Sequence, residues 1–140
     1  MSIKEAQKGI VEEFSLFNDW MEKYEYLIEI GKALAPFPQG QKREENLIAG
    51  CQSRVWLATE FQDGKLFFIA DSDAVITKGI VSLLIKVFSG HTPQEILEAD
   101  VAFIDQIGLK EHLSPTRANG LVSMIKQIKM YAVGLSVAGK

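Results

Sequence analysis

Cysteine and histidine are scarce in this sequence, which limits the chemistry that the chain can carry on its own. Cys51 is the one cysteine among 140 residues, and His91 and His112 are the two histidines. One cysteine excludes an intramolecular disulfide, so packing alone must hold the fold. A structural zinc or iron–sulfur site usually takes three or four cysteine or histidine ligands. We therefore predict no metal site, and the single thiol becomes the residue to explain.

Long runs of one charge and long apolar runs are also lacking. The net charge of −3 is spread along the chain, without the runs of like charge that bind phosphate backbones or anionic lipid. The longest nearly uncharged stretch, 74–88, contains Lys78 and Lys86 and is shorter than the roughly 20 residues of a membrane-spanning helix. The first residues do not have the pattern of a secretory signal. We expect no nucleic-acid or membrane partner and a cytoplasmic location.

Apolar residues are abundant enough for a packed core. They make up 47% of the chain and charged residues 24%, as in ordinary soluble proteins, so we predict one domain over residues 1–140. One predicted β-hairpin stands between helical segments, without the strand–helix–strand alternation of a parallel sheet. The predicted fold class is therefore α+β, with a small antiparallel sheet flanked by helices.

Capping residues, turn residues and hydrophobic periodicity outline the elements of this fold. Ser2-x-x-Glu5 and Thr92-Pro93-Gln94-Glu95 are capping boxes, and Gln62-Asp63-Gly64-Lys65 is a tight-turn signal. The predicted elements are, in chain order, a helix near 3–15, a second helix capped by Asn18, a hairpin with strands 55–61 and 66–70, a helix capped by Ser72 or Asp73 and ending at Phe88, a short helix from Pro93, and a last helix near 115–136.

Cys51 lies just before the first predicted strand. Gly50 precedes it and permits backbone conformations that a side chain would forbid, and loops beside a sheet often carry chemistry. Arg54 could stabilise the reactive thiolate, although alternation along an extended segment would put residues 51 and 54 on opposite faces. An inert, buried cysteine fits the same pattern. The residues alone leave both alternatives open.

Candidate acids and bases are few. A cysteine hydrolase needs a base beside its thiol, and His91 and His112 are the candidates. Both lie at edges of predicted helices and outside any catalytic motif, which favours capping or surface roles. Asp73 could act as an acid or polarise a neighbour, but its position favours capping of the helix that follows.

The start of the last predicted helix holds three further candidates. Arg117 and Asn119 lie in its first turns, where a cation opposes the helix dipole, so the placement of Arg117 suggests an interaction instead. Gly120 costs a helix about 1 kcal/mol relative to alanine. We therefore expect another backbone to approach closely at this position.

Three blocks of the sequence resemble the signature segments of SufE-type proteins, in the same order and spacing. They are NLIAGCQSRVW at 46–56, DSDAVITKG at 71–79 and HLSPTRANG at 112–120. The block around Cys51 is specific rather than generic, and the resemblance spans essentially the whole chain. It implies an α+β fold similar to that of the scaffold protein IscU, with the cysteine on a loop over a small antiparallel sheet.

The same resemblance implies a sulfur-carrier function. Cys51 would take persulfide sulfur from a SufS-type cysteine desulfurase, stimulate that enzyme, and deliver the sulfur to the SufBCD scaffold for iron–sulfur cluster assembly. Pyridoxal phosphate would belong to the desulfurase, and this chain would need no cofactor. Position 54 is variable in the family pattern. The residues expected to support the acceptor loop or bind the partner are Gly50, Gln52, Ser53, Arg54, Asp73, Arg117, Asn119 and Gly120.

Alternatives to that function stay open. A CsdE-type role beside a different desulfurase fits the same three blocks. An independent cysteine-dependent enzyme and a non-catalytic interaction domain with an inert thiol also fit the residues. For a carrier, we expect the resting thiol to lie under apolar neighbours such as Leu47, Ile48 or Trp56, which would protect a persulfide from water and small thiols.

Overall fold

The fold consists of helices around one β-hairpin in a computed structural model that describes residues 2–51 and 53–138. In chain order, the elements are α1 (Ile3–Ser15), α2 (Trp20–Lys32), β1 (Val55–Gln62), β2 (Lys65–Ser72), α3 (Val75–Phe88), α4 (Pro93–Glu98), α5 (Ala102–Gln106), α6 (Leu109–His112) and α7 (Pro115–Ala138). Two short 3-10 turns, Gln39–Gln41 and Glu44–Asn46, lie between α2 and β1. The predicted α+β class, with a small antiparallel sheet between helices, is confirmed.

Side chains at the helix starts decide where α1, α2 and α4 begin. The capping boxes at Ser2 and Thr92 begin α1 and α4, as predicted. The prediction for α2 was wrong by one residue, because Asp19 and not Asn18 is its N-cap. Asp19 Oδ1 accepts a hydrogen bond from Glu22 N at 2.9 Å, whereas Asn18 N donates to the Glu22 carboxylate.

The start of α3 also differs from the prediction. Neither Ser72 nor Asp73 caps this helix; its N-cap is Ala74, which supplies no side-chain hydrogen bond. The two polar side chains bind the backbone of Arg54 instead, with Ser72 Oγ donating to Arg54 O at 2.8 Å and Arg54 N donating to Asp73 Oδ1 at 3.1 Å. The backbone of Arg54, which is distant in sequence, therefore binds the hydroxyl of Ser72 and the carboxylate of Asp73, and neither side chain caps α3.

The predicted β-hairpin forms around the Asp63-Gly64 turn. β1 and β2 pair antiparallel, with Val55 opposite Ser72, and both strands extend beyond their predicted ends. Asp63 and Gly64 both have positive φ, 52° and 79°, which is the requirement of a type I′ turn. The buried residues of the two strands include Val55, Leu57, Leu66, Phe68 and Ala70.

Helix α3 packs against α2 at a point where both backbones nearly touch. A Cβ on Gly79 would lie 2.2 Å from Leu27 O, and a Cβ on Gly31 would lie 2.9 Å from Gly79 N. Only glycine permits this approach. Buried apolar side chains of α3 fill the centre of the core: Ile80, Val81, Leu83, Leu84, Val87 and Phe88.

The last helix, α7, closes the core and reaches the region around Cys51. It packs against α3 and α4, and its buried residues are Leu121, Met124, Ile125, Ile128 and Ala132. Its first turns, near Arg117 and Gly120, lie beside Cys51. The starts of α3 and α7 and the segment before β1 therefore meet at one place.

Candidate functional site

The only thiol of the chain lies on a short loop before β1. Ile48 N donates a hydrogen bond to Val55 O at 2.9 Å, which closes the base of this loop. We call residues 49–54 the Cys51 loop; Gln52, one of the predicted site residues, lies outside the described residues. The loop is thus anchored to the strand that follows it.

The Cys51 loop lies directly on α7, with two glycines at the contact. Gly50 has φ of +89°, and a Cβ there would lie 2.4 Å from Ser123 Oγ. A Cβ on Gly120 would lie 3.4 Å from Cys51 Sγ and 3.9 Å from Cys51 Cα. The Cys51 thiol donates a hydrogen bond to Gly120 O at 3.6 Å. Gly120 thus stands where the backbone of the loop comes close to the helix.

A cleft of about 290 Å³ opens beside the thiol. Its walls come from the Cys51 loop, from the first turns of α3 and from the first turns of α7. The described residues that line it are Cys51, Ser53, Thr77, Ile80, Ser114, Thr116, Arg117, Gly120 and Met124. Four hydroxyl side chains and one cation contribute to this lining, and none of these residues is acidic.

The thiol of Cys51 is half-buried, and its burial raises its pKa. Desolvation is the cause, because burial disfavours the charged thiolate. The hypothesis that Arg54 stabilises a thiolate finds no support, since no charged neighbour offsets this shift. At neutral pH the resting thiol is protonated, and it is therefore a weak nucleophile.

Asp73 lies at the base of the Cys51 loop rather than in the cleft. Besides accepting the hydrogen bond from Arg54 N, it donates its own N–H to Arg54 O at 3.2 Å. Arg54 takes part through its backbone, and its side chain is exposed and does not line the cleft. Asp73 and Ser72 therefore fix the end of the loop, and Asp73 is not among the cleft-lining residues that could act as an acid there.

The predicted residues on α7 occupy different positions relative to the thiol. Arg117 lines the cleft, and its backbone N–H donates to Ser114 Oγ at 3.3 Å. Among the described residues, the Arg117 guanidinium has no hydrogen-bond or ion-pair partner. Asn119 is exposed and does not line the cleft, whereas Ser53 does. The structure thus brings Ser53, Arg117 and Gly120 to Cys51 and leaves Asn119 outside.

The candidate bases do not provide a partner for the thiol. His91 lies at the other end of the hairpin, where its backbone accepts from Leu66 N at 2.8 Å and its Nδ1 lies 3.6 Å from Glu95 Oε2. The side chain of His112 lies outside the described part of the structure. No imidazole and no carboxylate is found among the described side chains that line the cleft.

The cover of the thiol by Leu47, Ile48 or Trp56 stays a prediction, and Cys51 packs against the buried core that includes Ile48. None of these three residues lines the cleft: Ile48 is buried just before the loop, and Trp56 is buried in β1, where it pairs with Leu47. The apolar side chains around the cleft are instead Ile80 of α3 and Met124 of α7. Ile80 and Met124 lie beside the same cleft as Cys51 because α3 and α7 pack together there.

Sequence reasoning also missed polar residues of the cleft. Thr77, Ser114 and Thr116 were not singled out for the site, nor was Ser123, on which Gly50 rests. One signal was available for Thr77, which interrupts an apolar helix at a position where the spacing predicts burial. The other residues become visible only once α7 is placed beside the loop.

The described residues contain neither a metal-binding cluster nor a membrane-spanning helix. No cluster of three or more histidine, cysteine, aspartate or glutamate side chains is arranged to hold a metal ion in the described part of the chain. Among the described helices, none combines the length and the apolar character needed to cross a bilayer.

Comparison with known proteins identifies relatives in family and in fold. The family model of SufE, the Fe-S metabolism associated domain, matches residues 8–132. A hypothetical protein from Thermus thermophilus, known from its solution structure, superposes with a TM-score of 0.78 over 94% of this chain and 96% of that one. The two sequences are 22% identical, so this likeness is one of fold alone.

Proposed function

The chain belongs to the SufE family, and we propose on that premise that Cys51 accepts the persulfide sulfur of a cysteine desulfurase and passes it on for iron–sulfur cluster assembly. The family match covers most of the chain, including Cys51 and the cleft beside it. Membership of the SufE family indicates a role in Fe–S metabolism. The donor, the acceptor and the role of each residue are our proposals.

The setting of Cys51 is the observation that carries this proposal. Its thiol is half-buried at a cleft, on a loop held by a few polar contacts, and the described lining includes no general base. An enzyme that uses cysteine on a small substrate needs a base to activate the thiol. A carrier needs no base of its own when its partner brings sulfur that is already activated as a persulfide and, on docking, promotes loss of the thiol proton. The setting therefore favours a carrier over an independent cysteine-dependent enzyme.

The transfer step balances without an oxidant or reductant. Cys51 Sγ, as the thiolate, attacks the outer sulfur of the desulfurase persulfide. A bond forms between Cys51 Sγ and that sulfur, while the sulfur–sulfur bond of the desulfurase breaks and its cysteine leaves as a thiolate. The outer sulfur keeps its proton during the step or loses it to solvent afterwards. The result is a persulfide on Cys51 and a free thiolate on the donor.

Burial of the resting thiol suits delivery to a specific partner. The raised pKa of Cys51 keeps it protonated, and so protects it from small oxidants and electrophiles. Docking of the desulfurase must then displace the Cys51 loop from α7 or bring a group that accepts the thiol proton. Either change makes Cys51 reactive only where donor sulfur is present.

We further propose a SufS-type desulfurase as the donor and the SufBCD scaffold as the recipient, with a cytoplasmic site of action. Removal of the persulfide from the donor would stimulate its turnover. Pyridoxal phosphate is then the cofactor of the desulfurase, and this chain requires none. A CsdE-type role beside another desulfurase uses the same chemistry at Cys51, so parallel reactions with both kinds of donor must distinguish them.

Intact-mass analysis after incubation with a desulfurase and cysteine tests the proposal. The wild-type chain should gain one transferable sulfur and then saturate until an acceptor or reductant is added. Cys51→Ser should fold normally and gain none, because its hydroxyl lacks the soft nucleophile. Sulfur on the Cys51→Ser variant, or continuous turnover of a small substrate by the chain alone, would contradict a carrier function.

A further inference from the structure

A hydroxyl without a protein partner lies in the wall of the cleft. Three polar side chains are buried among the described residues: Gln7, Ser72 and Thr77. Gln7 donates to Asp100 O at 2.8 Å and Ser72 donates to Arg54 O at 2.8 Å. Thr77 is only 6% exposed, lines the cleft, and has no side-chain hydrogen bond to another described residue; because no described polar atom that is sealed from solvent lacks a partner, its hydroxyl is open to the cleft. Its hydroxyl is therefore available to a group that enters the cleft.

The backbone around Thr77 is arranged to favour negative charge. Thr77 is the third residue of α3, a helix of 14 residues whose N-cap makes no side-chain hydrogen bond to the first turn. The N–H groups of an uncapped helix start carry partial positive charge and bind anions. The first turns of α7 face the same cleft through Ser114, Thr116 and Arg117. Two helix N-termini thus converge on one recess.

Few charged side chains surround this recess. Arg117 supplies the one cation that lines it from α7. Lys78, next to Thr77 on α3, is paired with Asp71 at 3.2 Å, and Asp73 binds the Arg54 backbone. No acidic side chain from α3, from α7 or from the described residues of the Cys51 loop lines the recess. The local balance is therefore positive.

We propose that this recess binds the terminal sulfur of a persulfide on Cys51 in its anionic form, with Thr77 Oγ1 donating a hydrogen bond to it and Arg117 supplying the counter-charge. The inference rests on the proposed function and adds to it a binding site for the carried sulfur. Thr77 becomes an anion-binding residue, and the α3 N-terminus contributes its N–H groups.

The recess is suited to this ligand in size and position. Cys51 lines the recess, and a second sulfur bonded to its Sγ would extend about 2 Å further. The cleft volume of about 290 Å³ accommodates one more atom without displacement of its walls. Persulfides are more acidic than thiols, so the carried sulfur is the species that ionises here. The recess would hold the sulfur as an anion while Ile80 and Met124 limit its exposure.

The test uses a persulfide loaded chemically, so that it does not depend on any desulfurase. Inorganic polysulfide gives one sulfur to the Cys51 thiolate and leaves as a polysulfide one atom shorter. The pH dependence of alkylation by iodoacetamide, followed by intact mass, then reports the persulfide pKa. Thr77→Val keeps the side-chain shape and removes the donor. We expect it to raise the persulfide pKa by about one unit, the size expected for one hydrogen bond to a charged group.

Two control variants separate binding from a general effect on folding. Thr77→Ser retains the hydroxyl and should restore the wild-type persulfide pKa. Thr59→Val removes a strand hydroxyl that binds Phe67 O at 3.2 Å and should leave the persulfide pKa unchanged. Because Thr77 has no described partner in the resting state, Thr77→Val should also lose no thermal stability.

The outcomes separate this inference from the proposed function. An unchanged persulfide pKa in Thr77→Val, or an equal shift in Thr59→Val, would overturn the recess as the sulfur-binding site. If no desulfurase loads Cys51 but the chemically loaded protein shows the Thr77→Val shift, the recess stands and the carrier function fails. If desulfurase loading succeeds and the shift is absent, the carrier function stands and the recess fails.

Discussion

The α2–α3 contact and the contact between the Cys51 loop and α7 both contain glycines, but an added Cβ would meet different kinds of atoms in the two places. A Cβ on Gly79 would meet the backbone of Leu27, with its carbonyl oxygen at 2.2 Å. Around Gly50 and Gly120, an added Cβ would first meet the Oγ of Ser123 and the Sγ of Cys51. Backbone atoms inside two packed helices cannot yield, whereas side-chain ends can rotate. We therefore expect the core contact to be rigid and the site contact to be releasable.

The other interactions of the two regions support the same contrast. The core around α3 is held by buried apolar side chains, whose stabilisation grows with the area removed from water. The Cys51 loop is held by a hydrogen bond from Arg54 N to the Asp73 carboxylate, by one from Ser72 Oγ to Arg54 O, and by the weak bond from Sγ to Gly120 O. The N–H and O–H bonds are each worth about 1 kcal/mol net, and the S–H bond is worth less. Release of the loop should thus cost far less than unfolding.

Gly79→Ala should have the largest effect, because its methyl group would overlap Leu27 O. We expect the free energy of unfolding to fall by about 3 kcal/mol, as for severe overpacking, despite the better helix propensity of alanine. Urea denaturation measures this loss. Gly9→Ala is the matched control, since nothing lies within 4 Å of its added Cβ, and it should gain about 0.5–1 kcal/mol. Equal stability of both variants would refute a rigid α2–α3 contact.

Asp73→Ala should loosen the Cys51 loop with little effect on the core. Loss of the hydrogen bond from Arg54 N removes about 1 kcal/mol from loop closure, which corresponds to a roughly fivefold faster alkylation of Cys51. The urea midpoint should barely change, because no buried apolar contact is lost. Asp73→Asn retains a side-chain oxygen acceptor and should stay near the wild-type rate. If Asp73→Ala reacted no faster than wild type, this bond would not hold the loop.

Gly120→Ala should stabilise the protein, in contrast to Gly79→Ala, which should destabilise it. Its methyl group would lie 3.4 Å from Cys51 Sγ, an ordinary contact, and alanine favours the helix by about 0.5–1 kcal/mol. We expect a gain of that size in the free energy of unfolding. The same methyl should slow alkylation of Cys51, because it narrows the cleft beside Sγ. If the free energy of unfolding of Gly120→Ala instead fell by more than about 1 kcal/mol, the loop contact would be as rigid as the contact between α2 and α3.

Arg117→Ala should have the smallest effect on stability. Its guanidinium is exposed and has no partner among the described residues, so the change should stay within about 0.5 kcal/mol. Stimulation of a desulfurase should fall if Arg117 binds the partner or the carried sulfur, and Arg117→Lys should keep part of it. If Arg117 instead braced the loop, the alanine variant would melt earlier and Cys51 would react faster without a partner.

Local signals in the sequence were sufficient for most of the fold. The Asp63-Gly64 turn and the Ser2 and Thr92 capping boxes act over a few residues, so the hairpin and the starts of α1 and α4 were predicted correctly. Asn18 and Asp19 are neighbours with similar capping preference, and the hydrogen bond to Glu22 N decides between them only in the structure.

The candidate site was predictable only in part, because tertiary contacts build it. Cys51 and Gly120 were identified as residues that need an explanation, and the structure places them in contact. Asp73 was predicted as a helix cap because no local rule reveals Arg54 as its partner. Thr77 was missed as a cleft residue, because its exposure to the cleft depends on how α3 and α7 converge.

The most direct test of a releasable site on a rigid fold is the alkylation rate of Cys51 as a function of urea. The chain has one cysteine, so every modified molecule reports this loop. Local release exposes little surface, and the rate should then stay nearly constant until the unfolding transition begins. A rate that rises through the native baseline with the full slope of global unfolding would contradict this, because Cys51 would then react only in the unfolded chain.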